Sequence, residues 1–482
     1  MASAHPLEIR EIADVVASYL RKKDVATCIR VSKGWYDSFL PHVWRIVRTE
    51  LEDDYGVLHP IRPERDAIDN HRHFIQDLTL INTIDGFSEY EYPNIRRLEI
   101  DMEERKSPIN MNLTTQTPML VDLKLTCVNV QWSFWSALSN NRHLKHLSLV
   151  YLTIKVNDAP SLWKTCMRLE SLQMEYVLIE EGGRPKDMVF DKLRQLKFHA
   201  SRATYSSYLM DVMLQSPMLE SLELEVSLNT GFRGSTKSGD WGHLKKLHVS
   251  GYQEDADLAF IFKKERHGIG NMVSVKEPFS SGLGSQPSKV IFGSHFDTLV
   301  DVDLLRCTTV GNTAVPDILC LCPRLEKLQA KYVLAHHVAE RDPWVCQHLR
   351  ELRIQFLFEA PGDDLKRLIF ERLSMLVRLE RLTLDYSLAG IIRNYYSLEC
   401  RLGCGLERLE SLKQLTFLWL YTSKSRWGAF NWKEPDLGME EAEWILEHWK
   451  KLKVIKGDLN RVSDLRAPLW SVFQSHGIAT EL

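Results

Sequence analysis

Residues 141–174 read NRHLKHLSLVYLTIKVNDAPSLWKTCMRLESLQM and carry one phrase twice, apolar-x-x-apolar-x-apolar, at Leu144/Leu147/Leu149 and at Leu169/Leu172/Met174. Working outward, the phrase recurs at Leu120/Leu123/Leu125, Leu193/Leu196/Phe198, Leu219/Leu222/Leu224 and Leu244/Leu247/Val249. It returns later at Leu325/Leu328/Ala330, Leu349/Leu352/Ile354 and Leu379/Leu382/Leu384. From Leu120 to Leu244 the steps are 24, 25, 24, 26 and 25 residues. A fixed period in this range marks an array of strand-plus-helix units, each able to bury its apolar side only against its neighbours.

Within each copy the apolar residues alternate with polar ones, the period-two pattern of a half-buried strand. Helix-like stretches precede several strands, at 132–141, 206–215, 315–321 and 363–377. Proline close to the strand start, as in QSPMLESL and LCPRLEKL, disfavours helical geometry for the residue before it and so favours a turn. The expected fold is therefore α/β: a right-handed leucine-rich-repeat solenoid with a parallel concave sheet and outer helices. Such arrays build extended recognition surfaces. The outward strand positions nominated for holding a target are His146, Gln173, Glu175, Lys197, Glu223, His248, Gln329, Arg353 and Thr383, with Tyr386 just past its strand. Tyr176, Tyr332 and Phe356 are further aromatics near strand ends that could serve as anchors or pack into the turns.

Irregularities fall at definite places. A gap of 55 residues separates Leu244 from Leu299, with a weak strand candidate at 272–275 inside a stretch rich in glycine, serine and lysine. Loop insertions are expected near 229–242 and 263–290. The last steps lengthen to 30, 33 and 40 residues, and 438–482 is expected to cap the coil, with Trp444, Leu446 and Trp449 of its helix partly buried. The domain plan is thus a helical unit at 1–50, a connection at 51–74, and the repeats from 75 to 482.

Bulk properties narrow the class. The chain has 482 residues, 44% apolar and 26% charged, with a formal net charge of −3. That balance lacks the clustered basic excess a nucleic-acid partner calls for. Nine cysteines are spread without a disulfide framework. No apolar run reaches signal-peptide or membrane-span length, so the expectation is a cytoplasmic and/or nuclear protein with reduced thiols and no membrane partner.

Residues 5–48 read HPLEIREIADVVASYLRKKDVATCIRVSKGWYDSFLPHVWRIVR and contain no strand phrase. Three short helices are expected. The first opens at about Leu7 behind Pro6, the second is capped by Asp24, and the third runs from Gly34 to Pro41. Pro6, Glu8, Ile9, Tyr19, Leu20, Asp24, Val25, Val31, Ser32, Lys33, Trp35 and Trp44 stand in the order and spacing of an F-box, which this stretch resembles. Departures are His5 before the proline, Val43 before the final tryptophan and one extra residue in the first helix. An F-box ahead of leucine-rich repeats is a known family arrangement. The resemblance implies the substrate-recognition adaptor of a Skp-cullin-F-box ubiquitin ligase, with the helices on the Skp-family adaptor and the repeats on a protein target. Pro6, Leu7, Ile9, Ile12, Val16, Leu20, Val25, Val31 and Trp35 would then touch the adaptor. Physics alone requires only that so small a unit cover some apolar groups with something else. The first repeat could do this if the helices are a structural cap on a plain binding scaffold.

Catalytic and metal motifs do not emerge. Cys320-x-Cys322 and Cys400-x-x-x-Cys404 lack zinc spacing, and His336-His337 has no partner pattern in the sequence. No P-loop, dinucleotide glycine motif or nucleophile elbow is present. The expectation is a protein that is not an enzyme and needs no cofactor.

Overall fold

The computed structural model describes residues 9–52, 58–60, 65–82, 87, 90–102, 117–128, 130, 132–180, 182–183, 185, 188–200, 207–226, 242–250, 273–276, 295–305, 314–360, 362–385, 396–421, 437–457 and 463–481. They divide into two compact units, Met1–Leu219 and Glu220–Leu482. Of the expected site residues, Pro6, Leu7 and Tyr386 lie outside the described set, as does the 229–242 segment except Gly242.

The first unit opens with three helices, α1 (Arg10–Tyr19), α2 (Lys22–Cys28) and α3 (Lys33–Trp44). Their boundaries differ from the sequence expectation in physically simple ways. Asp24 does not cap α2 but sits in its first turn, where its carboxylate meets Arg21 Nε at 3.0 Å. The cap of α3 is Ser32, whose Oγ accepts the Trp35 amide at 3.2 Å. Pro41 does not end α3, because its ring forfeits only one backbone bond near the end of a helix already nucleated upstream. Ala13, Ala17, Val25 and Phe39 form the small buried cluster of this bundle, with Val16, Leu20, Cys28, Ile29, Trp35 and Val43 packed around it.

Directly after α3 the chain enters β1 (Ile46–Arg48), then β2 (Asp77–Ile81), β3 (Arg97–Asp101), β4 (Asp122–Thr126), β5 (His146–Val150), β6 (Ser171–Glu175) and β7 (Gln195–Ala200). Each pairs in parallel with the next. The register is unslipped: Leu78, Leu98, Leu123, Leu147, Leu172 and Leu196 form one row across the sheet, and Leu80, Ile100, Leu125, Leu149, Met174 and Phe198 a second. All twelve are buried. A slip of one residue would turn both rows to solvent, which is why the leucine phrase fixes the pairing. Parallel neighbours need crossovers. Trp132–Leu138 and Ala159–Cys166 supply two, burying Phe134, Trp135, Leu138, Leu162, Trp163 and Cys166.

The second unit repeats the scheme with β8 (Ser221–Val226), β9 (Lys246–Ser250), β10 (Ser274–Lys276), β11 (Asp301–Leu304), β12 (Lys327–Ala330), β13 (Glu351–Ile354), β14 (Arg381–Asp385), β15 (Phe417–Tyr421), β16 (Val454–Gly457) and β17 (Ala479–Glu481). These ten also pair in parallel, in chain order. Two results refine the sequence reading. The stretch at 263–290 contains a rung of the ladder, β10, held between β9 and β11. The segment at 438–482 does more than cap: it adds the helices Met439–His448 and Ser463–Ser475 and contributes β16 and β17 to the sheet.

Candidate functional site: two exposed faces

On the helical unit, burial sorts the nine residues nominated for the adaptor. Val25 is only 4% exposed and belongs to the bundle's own core, so it is a folding residue and not a contact. An apolar stripe at helical spacing cannot by itself say which of its members face inward. Val16, Leu20 and Trp35 are half-buried against the same cluster. Ile9, Ile12 and Val31 point to solvent, Val31 at 60%. Beside them lie Val15 at 59% exposed, Tyr19 at 85% and Tyr36, none of them nominated from sequence. So many large apolar side chains exposed on so small a unit is the kind of surface that usually meets a partner. The other side of the unit is committed. Lys22 Nζ donates to Ile46 O at 2.9 Å, and the Trp44 ring lies 4.8 Å from that of His71.

On the sheet of the first unit, the outward positions also form rows. Thr79, Glu99, Lys124, Ser148, Gln173 and Lys197 follow one another at one register position. His146 stands one row over, between Asp122 and Ser171, and Glu175 in a third row between Val150 and His199. Gln173, Glu175 and Lys197, from neighbouring rungs, come together: Gln173 Nε2 donates to Glu175 Oε1 at 2.8 Å and Lys197 Nζ lies 3.3 Å from the same oxygen. Lys124 Nζ donates to Glu99 at 2.6 Å. Just behind this face Lys145 donates to Glu170, and that hydrogen bond holds the Glu170 carboxyl below its usual range. Asp77, heading the edge row, is pushed up by burial against the opposing pull of Arg97 and Arg48.

At the ends of these strands the backbone itself repeats. Asn82, Cys127, Tyr151 and Tyr176 all take positive φ, between 53° and 56°. The amides of Tyr151 and Tyr176 donate to Glu175 O and His199 O. Because each residue repeats its neighbour's geometry one strand away, the Tyr151 and Tyr176 rings stack at 4.8 Å with 2° between planes, the spacing of adjacent strands. Tyr176 Oη and His199 Nε2 are 2.6 Å apart. Tyr151 was not singled out from sequence; its place one residue past β5, matching that of Tyr176 past β6, was the available signal.

The second unit differs in character. Its central outward row includes Glu223, His248, Asp303, Gln329, Arg353, Thr383, Trp419, Lys456 and Glu481. Glu223 and His248 approach to 3.7 Å, and Gln329 Nε2 donates to Glu351 at 3.2 Å, with Lys327 on that carboxylate at 3.0 Å. Thr383, nominated as a contact, is only 7% exposed. It is a short side chain between two long ones, and Arg353 reaches across it to lie 5.7 Å from the Trp419 ring. Next to it Arg381 stands 4.1 Å over Phe417, and Lys456 is within 6.0 Å of both aromatic rings. Lys456 also pairs with Glu481. The outcome is an aromatic and cationic patch on β13 to β16. Sequence reading missed Phe417 and Trp419 because FLWL is apolar at every position and hides the alternation. The repeated phrase of this rung is Leu415/Leu418/Leu420, whose last two leucines pair with Leu382 and Leu384, and reading it in that frame turns Phe417 and Trp419 to the outward face.

Of the aromatics near strand ends, Tyr176 and Tyr332 are half-buried, while Phe356 is buried in a short outer strand, Phe356–Phe358. Among the described residues no set of three His, Cys, Asp or Glu is arranged to hold a metal ion. Cys320 Sγ donates to Asp342 O at 3.0 Å, and His336 comes within 3.7 Å of Glu359, a partner the sequence spacing did not suggest. Burial raises the thiols of Cys166 and Cys322, and pushes that of Cys346 up to about 12. No described helix is long and apolar enough to cross a membrane.

No family model matches the chain, and no curated protein matches it. Among solved structures, an internalin (inlF) of Listeria monocytogenes aligns over 88% of this chain and 95% of its own, at 12% identity and a TM-score of 0.35. TLR13, in its complex with ssRNA13, aligns over 87% of this chain at 14% identity and a TM-score of 0.39. This chain covers 55% of the TLR13 chain, so it spans about half of that length. Both are leucine-rich-repeat proteins. The fold assignment rests on the strand register above and not on these scores.

Proposed function

We propose that the chain is a non-catalytic substrate-recognition adaptor of a Skp-cullin-F-box type ubiquitin ligase, acting in the cytoplasm and/or nucleus. The helical unit docks on the Skp-family adaptor, and the outward sheet faces hold a protein target. The observation that carries this reading is the exposed apolar group Ile9, Ile12, Val15, Tyr19, Val31 and Tyr36 on a unit whose motif residues stand in F-box order. The outward rows are of mixed sign, which suits a protein surface better than a polyanion.

A second reading, a plain scaffold whose helices are a structural cap, is favoured by one specific observation. Helix α3 runs into β1, which pairs with β2 along Ile46 to Asp77, Val47 to Leu78 and Arg48 to Thr79. Removing residues 1–50 would therefore strip the first repeat strand of its neighbour under either reading. Point substitutions on the exposed face separate the two. The 482-residue chain carrying Ile12→Glu and Val31→Glu should keep its unfolding temperature and lose co-purification with a Skp-family adaptor. A wild-type chain that captures no adaptor, or a double variant that captures it equally well, would refute the ligase reading and leave the scaffold.

A further inference from the structure

We infer that the first unit holds a second binding site, a cationic cleft for a small molecule bearing clustered phosphates. The cleft lies between the helical bundle and the first strands and has a volume of about 570 Å³. That is the size of a pocket for one small ligand, which usually spans about 300–1,000 Å³. Its walls bring together Arg10 from the start of α1, Arg45 at the end of α3 and Arg96 ahead of β3.

The backbone fixes two of these guanidinium carriers. Gln76 N donates to Arg45 O at 3.0 Å, and Arg96 N donates to Gln76 O at 2.8 Å. Arg45 and Arg96 thus stand at the same end of adjoining parallel strands with one rung between them. Their backbones are about 10 Å apart at ordinary strand spacing, within reach of converging side chains. Arg10 approaches from the helical side.

The charge state of the cleft is the unusual feature. Some arginines elsewhere in this unit engage carboxylates, as Arg21 does Asp24 at 3.0 Å, Arg72 does Asp69 at 3.2 Å and Arg97 does Asp122 at 3.9 Å, and others, such as Arg142, stand alone at the surface; the cleft is set apart by gathering three together. Among the described residues, the side chains of Arg10, Arg45 and Arg96 make no ion pair and no hydrogen bond. Among the described residues one carboxylate lines the cleft, Asp14, and it is taken by His42 at 2.8 Å. Three guanidiniums gathered in a concave wall repel one another and focus a positive potential. A ligand with several phosphate oxygens relieves that repulsion, and each guanidinium can meet it bidentately. The small volume of this half-open cleft favours a compact polyanion over a long polymer.

The experiment is calorimetric titration of the full chain, at physiological salt, with inorganic tripolyphosphate, orthophosphate and citrate. The expected result is saturable one-to-one binding of tripolyphosphate, with orthophosphate and citrate much weaker. Arg45→Gln and Arg96→Gln should each weaken binding by about tenfold or more, as expected for loss of a charge-assisted hydrogen bond. Arg142→Gln, on an exposed arginine away from the cleft, should leave it within about twofold. All three variants are first checked for an unchanged unfolding temperature, so that a loss is not a loss of fold. No binding by the wild type, or an equal loss in the Arg142 variant, overturns the site. Equal binding of citrate overturns its assignment to phosphates. Adaptor co-purification is unaffected by any of these outcomes, so the inference and the ligase reading fail separately.

Discussion

Two glycines in the second unit share one backbone constraint and differ in another, and together they test how rigid the last rungs are. Gly457 closes β16 at φ +103°, and Gly477 precedes β17 at φ +74°. An alanine at either costs about 1–2 kcal/mol for left-handed backbone alone. Around Gly477 a new Cβ meets nothing within 4 Å, whereas at Gly457 it would lie 1.9 Å from Leu420 O. Gly457 is the register partner of Leu420, so opening that contact to van der Waals distance means prising β16 from β15. Each backbone bond lost in doing so costs about 1 kcal/mol net. With two such bonds weakened, Gly457→Ala should exceed Gly477→Ala by about 2–3 kcal/mol. Hydrogen exchange followed by mass spectrometry reads this locally, through the Lys453 and Val454 amides that donate to Thr416 O at 2.9 and 3.2 Å. Their exchange should quicken about 30- to 150-fold more in Gly457→Ala than in Gly477→Ala, by the usual conversion of free energy to ratios. The same displacement would carry Lys456 away from Phe417 and Trp419. Exchange rates within threefold of each other in the two variants would show that β16 yields without cost, and would refute the picture of a rigid rung.

Phe39→Ala removes the largest member of a four-residue core and should cost about 3–5 kcal/mol, enough to unfold the helical bundle; loss of protection confined to residues 10–44 in hydrogen exchange checks it. Once proximity labelling has identified a target, Trp419→Ala should weaken its capture by the full chain by more than tenfold, about 2 kcal/mol in a buried contact, while Gln173→Ala changes it little. The Glu170 carboxyl is held down by its hydrogen bond from Lys145, so its contribution is present above the ordinary value of 4.5 and is lost below it, as pH falls through the lowered folded value. With side chains 52% and 41% exposed the pair is worth less than about 1 kcal/mol, and the stability gap between wild type and Glu170→Gln at pH 7 should shrink steadily as pH is lowered below 4.5. In maleimide labelling of the native chain, half-buried Cys28 and Cys127 should react well before buried Cys166, Cys322, Cys346 and Cys400, which should label only on unfolding.

What could be read from sequence follows from how much a local pattern knows about its surroundings. Leu147 and Leu172 announced their rows because alternation alone dictates which face is buried. Val25 and Thr383 were misplaced for the opposite reason: their burial is decided by partners distant in sequence. Phe39 and the small alanines of α1 close over Val25, while Arg353 and Trp419 meet above Thr383. The rung at Ser274–Lys276 was faint because three residues among glycines and serines carry no alternation to count, and β17 carries no leucine at all. The stacked tyrosines arise from a repeated positive φ, and that conformation has no residue signature here, since Asn, Cys and Tyr all adopt it. The cationic cleft is similar. Arg10, Arg45 and Arg96 are far apart in the chain, and only the parallel register gathers them.

The charges of the outward rows and the aromatic patch are not equivalent candidates for holding a target. Along the first unit, and on β12 and β13, acids and bases from neighbouring rungs already satisfy one another: Glu99 with Lys124, Glu175 with Lys197, Glu351 with Lys327. Exposed pairs of this kind contribute about 0–1 kcal/mol each, so a partner that replaced one with its own pair would gain almost nothing. Trp419 is half-buried and keeps apolar area available on a face ringed by Arg353, Arg381 and Lys456. If a partner covered about 50 Å² of it, about a quarter of what a tryptophan can bury, the gain would be about 1.3 kcal/mol at 25 cal/mol per Å². Desolvating the adjacent cation–π contacts would strengthen them further, from about 0.5–1 towards 2 kcal/mol. The charged rows can steer and orient a protein partner; the rungs from β13 to β16 are where the sheet has affinity to give.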